Sequence, residues 1–147
     1  MKLENVRKEA YAKVFEIMGI ITNSNDINLL NIEYIQYRIK TKDSIIKKME
    51  NVGNNIYDVY DLIGIKYVFQ DLSIIDTFCK NIKSIKEFKI VEIRDYLKKG
   101  HPRDQNYKAL HILLTYDNFP CEIEIMDTNM SKHIVMSHDD YKKGLLK

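Results

Sequence analysis

The stretch Cys121-Glu122-Ile123-Glu124-Ile125-Met126 alternates apolar and acidic side chains, the pattern of a β-strand with one face in a core. Glu122 and Glu124 then share the other face, roughly 6.5–7 Å apart, near enough for a cation and a reacting group to sit between them or beside one of them. Residues 107–116 read as a second strand, with Leu110, Ile112, Leu114 and Tyr116 on one face and His111, Leu113 and Thr115 on the other. Asp117-Asn118-Phe119-Pro120 is the connecting turn, because Asp and Asn favour turn geometry and Pro cannot sit in a central ladder. A four-residue loop sets residue 115 opposite 122, 113 opposite 124 and 111 opposite 126. The apolar faces then coincide, and His111, Glu122 and Glu124 project together from the opposite side.

Upstream of this hairpin, Ala10, Val14, Ile17, Met18 and Ile21 recur at helical spacing and predict an amphipathic helix over about residues 4–21. Residues 27–37 form an ambiguous apolar stretch. Thr41 or Asp43 can cap a helix running to about residue 52, with Ile45, Met49 and Val52 inward. A strand is expected within 59–69, a helix over 71–85 and a strand over 87–97, followed by a polar loop with Gly100 and Pro102. Asp127 or Thr128 caps a last helix, in which Met130, Ile134, Ser137 or His138, and Tyr141 share a face. Interleaved strands and helices give an α/β or α+β sheet covered by helices. The 147 residues are expected to form one domain, with a helical part over about 1–52 and a sheet-bearing part over about 53–147.

Composition excludes several classes. Apolar residues at 45% and charged residues at 30% are ordinary for a globular domain, and a net charge of +2 does not announce a nucleic-acid binder. No apolar run is long enough to span a membrane and the charged start lacks a signal-peptide core, so the expected location is the cytoplasm. Cys79 and Cys121 lack metal-ligand spacing and read as small buried apolar groups.

The basic segment Arg38-Ile39-Lys40-Thr41-Lys42-Asp43-Ser44, with Lys48 one turn on, has two readings. Arg38, Lys40, Ser44 and Lys48 beside a helix N-terminus make a polyphosphate cradle, or they are a solvated basic face. No Gly-rich phosphate loop is present. Asp61, at the start of a strand that contains Gly64, is a Mg²⁺ ligand or a cap. Tyr107 can stack on a base or pack at a strand start. His101, His111, His133 and His138 show no zinc spacing, and a structural role is the default for each.

In order and spacing these segments resemble the synthetase domain of the RelA/SpoT alarmone synthetases, specifically the single-domain small alarmone synthetases. The resemblance spans residues 37–143. Arg38-Ile39-Lys40-Thr41-Lys42-Asp43-Ser44-Ile45 looks like the family's R-x-K-x-x-x-S-I pattern, and Asp61-Leu62-Ile63-Gly64-Ile65-Lys66 its D-x-x-G-x-R strand. Arg94-Asp95-Tyr96-Leu97 resembles R-D-Y-I, Asn106-Tyr107-Lys108-Ala109-Leu110-His111 resembles G-Y-x-S-x-H, and Glu122-Ile123-Glu124-Ile125 is similar to E-x-Q-I. Met130, His138 and Tyr141-Lys142 match the closing helix.

The resemblance implies a nucleotidyltransferase-like fold, a single mixed β-sheet flanked by helices. It implies transfer of the β,γ-pyrophosphate of ATP to the 3′-hydroxyl of GDP or GTP. Asp61 and Glu122 are then the catalytic pair and the Mg²⁺ ligands, Arg38, Lys40, Ser44 and Lys48 hold ATP, and Arg103, Tyr107, Lys108, His111 and Glu124 meet the acceptor nucleotide. Two alternatives stand beside this. One is a toxic relative that pyrophosphorylates the 3′ end of tRNA, with Lys98, Lys99, Arg103 and Lys108 on backbone phosphates. The other is a nucleotide-binding module without catalysis. The chain departs from the family's pattern at Glu124 for Gln, Met126 for Arg, Asp127 for Thr, Asn106 for Gly and Lys66 for Arg.

Overall fold

Val6, Ala10, Val14, Ile17 and Ile21 fall on one stripe of α1 (Lys2–Ser24), and that stripe is buried along its whole length. The computed structural model, which describes residues 2–25 and 31–134, packs α1 against one face of a five-stranded sheet. The strands are β1 (Ile32–Ile39), β2 (Ile63–Phe69), β3 (Phe88–Asp95), β4 (Leu110–Tyr116) and β5 (Phe119–Asp127), in the order β1-β2-β5-β4-β3. Only the β2–β5 pairing is parallel, so the sheet is mixed, as expected. Between β2 and β5 the chain makes α3 (Ile75–Lys83), β3 and β4, because parallel neighbours need a long crossover.

Alternation along the central strands divides the sheet into two faces. Ile63, Ile65, Tyr67 and Phe69 of β2 join Cys121, Ile123 and Ile125 of β5 and Ile112 and Leu114 of β4 in the main core, with α1 and the buried side of α3. On the opposite face Val68, Ala109, Met126 and Met130 form a smaller cluster, leaving polar side chains exposed beside it. Met130 belongs to a helix over 128–134 whose N-cap is Asp127: the carboxylate accepts the Met130 backbone N–H at 2.7 Å. Ser137, His138 and Tyr141, expected on that helix, lie outside the described residues.

Three expectations need correction. Residues 1–52 are not wholly helical. The ambiguous stretch contains β1, an edge strand paired only with β2, and its exposed Tyr34, Ile35 and Tyr37 hid the alternation that a half-buried strand displays. The hairpin register is shifted by two: His111 faces Glu124, Leu113 faces Glu122 and Thr115 faces Pro120. The cause is the turn, which has two residues rather than four. Asp117 (φ 49°) and Asn118 (φ 68°) both take left-handed backbone, a type I′ turn whose twist suits a tight hairpin. An even shift preserves faces, so the shared side of His111, Glu122 and Glu124 survives. Finally, Val52 in α2 (Lys42–Val52) is exposed, while Ile45 is buried and Thr41 is the N-cap, accepting from the Ser44 N–H at 3.2 Å. Among the described residues no helix is long and apolar enough to cross a membrane.

Tyr67 carries a testable cost. Its hydroxyl is fully buried in the main core without a hydrogen-bond partner, and that burial pushes the phenol's pKa far above its ordinary value. Removing an unsatisfied buried hydroxyl recovers about 1–2 kcal/mol. Tyr67→Phe is therefore expected to raise the unfolding free energy by that amount in a urea titration; a loss would show that the hydroxyl is satisfied.

Candidate functional site

Strand pairing lays the polar face out in rows, since directly paired residues stand on the same side of a sheet. One row runs Arg38, Gly64, Glu122, Leu113, Glu92 from β1 to β3. The next runs Gln36, Lys66, Glu124, His111, Arg94. The basic segment, the D-x-x-G strand and the acidic hairpin, far apart in sequence, thus become neighbours.

Two residues before β2, Asp61 is buried and ringed by cations. Its Oδ2 accepts a hydrogen bond from Lys40 Nζ at 2.8 Å and lies 3.6 Å from the Arg38 guanidinium, and Lys48 Nζ stands 3.8 Å from Oδ1. The Arg38 side chain reaches Asp61 across Gly64, where a Cβ would stand 3.1 Å from Nε and 3.2 Å from Cγ. The glycine leaves room for this crossing, since a side chain there would make Arg38 shift by a few tenths of an ångström. Ser44 is exposed in the first turn of α2. The cationic cradle is therefore formed around Asp61 by Arg38, Lys40 and Lys48, and among the described residues no hydrogen bond ties the Ser44 side chain to it.

On the hairpin, His111 Nδ1 lies 3.5 Å from Glu122 Oε2, both side chains nearly buried. The other ring nitrogen, Nε2, shares a 2.6 Å hydrogen bond with the Tyr107 hydroxyl. Tyr107 is fixed further by edge-on contacts with Tyr96 at 6.0 Å, His101 at 6.0 Å and His111 at 5.6 Å between ring centroids. Gly100, whose φ of 71° suits only glycine easily and whose added Cβ would strike the Gln105 carbonyl oxygen at 2.4 Å, starts the tight loop that presents His101 to this cluster. Tyr107 with Arg38, Lys66, Glu124, Gln36 and His133 also borders a cleft of about 760 Å³, a volume suited to a small-molecule ligand.

The two carboxylates are tuned apart. Burial pushes both up, but at Glu122 the hydrogen bond and charge of His111 outweigh it and hold the carboxyl below its ordinary value. Glu124 lacks so strong a partner, and burial leaves it raised. Divergent environments for neighbouring carboxyls suit acid–base chemistry. Tyr107 is likewise raised, first by burial and then by Glu124 and Glu122.

One lone oxygen and one cluster of side chains offer ligands to a divalent cation. Asp61 Oδ1 is buried without a hydrogen-bond donor, the condition of a ligand atom waiting for a partner, and hard oxygen donors suit Mg²⁺. His111, Glu122 and Glu124 each offer an atom within 4.8 Å of the others. Of the remaining expected residues, Arg103 is exposed on the loop and Lys108 is half-buried. Among the described residues no hydrogen bond or ion pair ties either side chain to the site.

Two site residues escaped sequence reading. Tyr60 sits under Lys48, and Tyr96 organises the ring cluster. Tyr96 stood inside the quoted Arg94-to-Leu97 segment, whereas only adjacency to Asp61 could have marked Tyr60. Met126, where the family's pattern has Arg, is fully buried with Val68, Ala109 and Met130. An apolar cluster occupies the place of that charge.

Comparison with known proteins agrees with this fold. The family model described as the region found in RelA and SpoT proteins matches residues 37–145. The GTP pyrophosphokinase YwaC of Bacillus subtilis (strain 168) is 25% identical over 101 residues, 62% of this chain and 47% of the relative, so the chain spans about half that relative's length. The crystal structure of small alarmone synthetase 1 from Bacillus subtilis aligns with a TM-score of 0.79 at 21% identity, over 99% of this chain and 82% of that one. The same synthetase bound to its product pppGpp aligns at 0.75 and 20% identity, over 92% and 78%. At such identities the structural likeness carries the fold.

The carboxylate tuning has a stability consequence. A carboxyl whose folded value is raised costs nothing while protonated in both states and opposes folding once pH passes its unfolded value. Glu124→Gln removes that cost. Its gain in stability over wild type is expected to be negligible near pH 3.5 and to grow as pH rises from the ordinary carboxyl value of 4.5 toward neutrality, measured by urea unfolding across that range. A gain that does not change with pH would remove Glu124 ionisation as its source.

Proposed function

Because this chain belongs to the family whose shared region is found in RelA and SpoT proteins, we propose that it is an ATP-dependent pyrophosphokinase that transfers the β,γ-pyrophosphate of ATP to the 3′-hydroxyl of GDP or GTP. One observation carries the reading: the pairing of Gly64 with Glu122 sets the cationic cradle around Asp61 beside the His111–Glu122 pair, on one face of the sheet.

In this reading the acceptor's 3′-oxygen attacks the β-phosphorus. The new P–O bond forms as the bond from Pβ to the α,β-bridging oxygen breaks, AMP leaves with that oxygen, and the 3′-hydroxyl proton passes to Glu122. Phosphoryl-type transfer is governed by positioning and charge neutralisation more than by covalent chemistry. Arg38, Lys40 and Lys48 supply cations around Asp61, and Ser44, exposed in the first turn of α2, would add a hydroxyl donor. Glu122 is held ionised by His111, the state needed to orient and deprotonate a hydroxyl. Asp61 and Glu122 would hold Mg²⁺, which would supply charge neutralisation for the phosphates. Tyr107, its ring pinned by its neighbours, borders the cleft where an acceptor base would stack, with Glu124 beside it. Arg103, exposed on the loop, and Lys108, half-buried, would meet acceptor phosphates.

Transfer of label from γ-³²P-ATP, in Mg²⁺, to GDP, GTP, ADP, AMP or bulk tRNA tests the reading. Label is expected on a guanine nucleotide, with Glu122→Gln lowering the rate about 10²–10⁴-fold and leaving the fold intact. Label on tRNA alone would replace the acceptor, and no transfer to any acceptor by folded protein would leave a binding module.

A further inference from the structure

Three cations surround Asp61, yet one of its carboxylate oxygens, Oδ1, is buried with no hydrogen bond. Lys40 and Arg38 both approach Oδ2, at 2.8 and 3.6 Å. The cation facing Oδ1 is Lys48, whose Nζ halts 3.8 Å away. A buried carboxylate oxygen without a donor is costly, and an ammonium on a flexible stem is free to close such a gap. Something must hold it back.

Tyr60 does so in two ways. Its hydroxyl oxygen accepts a hydrogen bond from Lys48 Nζ at 2.9 Å, and its ring centroid lies 4.0 Å from the same nitrogen, within cation–π range. The ring is itself braced, since the Arg94 guanidinium carbon lies 5.2 Å from its centroid. Arg94 in turn donates to Glu92 through Nε at 3.1 Å and a terminal nitrogen at 3.0 Å. A chain of contacts thus runs from β3 through Tyr60 to Lys48 and ends just short of Asp61.

We infer that Tyr60 is a positioning residue that keeps Lys48 off Asp61, so that Oδ1 remains open to a divalent cation. The inference rests on the reading of Asp61 as a metal ligand. Without the Tyr60 hydroxyl, Lys48 is released to pair with Oδ1, and an incoming cation must displace it. The function of Tyr60 is then to separate two roles that the sequence places within one cradle: Lys48 for phosphate, Asp61 for metal.

Mn²⁺ titrated into the protein without nucleotide, with the free ion followed by its paramagnetic resonance signal, reads metal binding apart from turnover. Tyr60→Phe keeps the ring and removes only the hydroxyl; it is expected to weaken Mn²⁺ about tenfold, the loss of one charge-assisted hydrogen bond converted to affinity. In a Lys48→Met background the same change is expected to have no effect, because no ammonium remains to close on Oδ1. Equal Mn²⁺ affinity in wild type and Tyr60→Phe would overturn the inference, as would a tenfold loss that persists in the Lys48→Met background. Failure of wild type to bind Mn²⁺ more tightly than Asp61→Asn would overturn it by removing Asp61 as a ligand. Absence of transfer activity, with these affinities as expected, would count against the proposed reaction alone.

Discussion

The parallel pairing of β2 with β5 is the constraint on which the rest depends. It is the only parallel ladder in the sheet, and it joins segments separated by a helix and two strands. Its register, Gly64 against Glu122 and Lys66 against Glu124, is held by what lies beneath: Ile63, Ile65, Tyr67 and Phe69 share the buried core with Cys121, Ile123 and Ile125. A slip of one residue would turn Glu122 and Glu124 into that core and bring apolar side chains to the polar face. Core packing therefore fixes the chemistry's geometry.

Electrostatics then distributes the work. Asp61 draws Lys40, Arg38 and Lys48 to one end of the face, while the hairpin gathers two carboxylates with a single imidazole between them and Tyr107. The carboxylates cannot both ionise freely in so small a space. His111 takes the side of Glu122, and Glu124 is left to carry the cost of burial. Where the family's pattern has Gln, this chain has that second acid, and where the pattern has Arg it has Met126 in an apolar cluster. The cleft beside them is more acidic than the pattern implies, with Lys66 and Arg38 as its facing cations.

Much of this was legible in the chain. The stripe of α1, the Thr41 cap of α2 and the alternation of the hairpin are local patterns, and each survives in the fold because tertiary packing uses the same periodicity. The common face of His111, Glu122 and Glu124 followed from alternation alone. What escaped reading was set by context. Edge strand β1 exposes Tyr34, Ile35 and Tyr37 and so lacks a clean alternation. The hairpin register turned on whether Phe119 and Pro120 belonged to the turn or the strand, which the left-handed backbone of Asp117 and Asn118 decides. Tyr60 had no pattern at all; its place comes from Lys48 and Arg94 arriving from other elements.

The most direct test is where a cation settles. Crystals grown with Mn²⁺ and a non-hydrolysable ATP analogue would locate the ion by its anomalous scattering. Mn²⁺ is expected on Asp61 Oδ1 and Glu122, hard oxygen ligands for a hard cation, with Lys40 and Lys48 turned to the phosphates. An ion held by His111, Glu122 and Glu124, with Asp61 still bonded to Lys40, would contradict it.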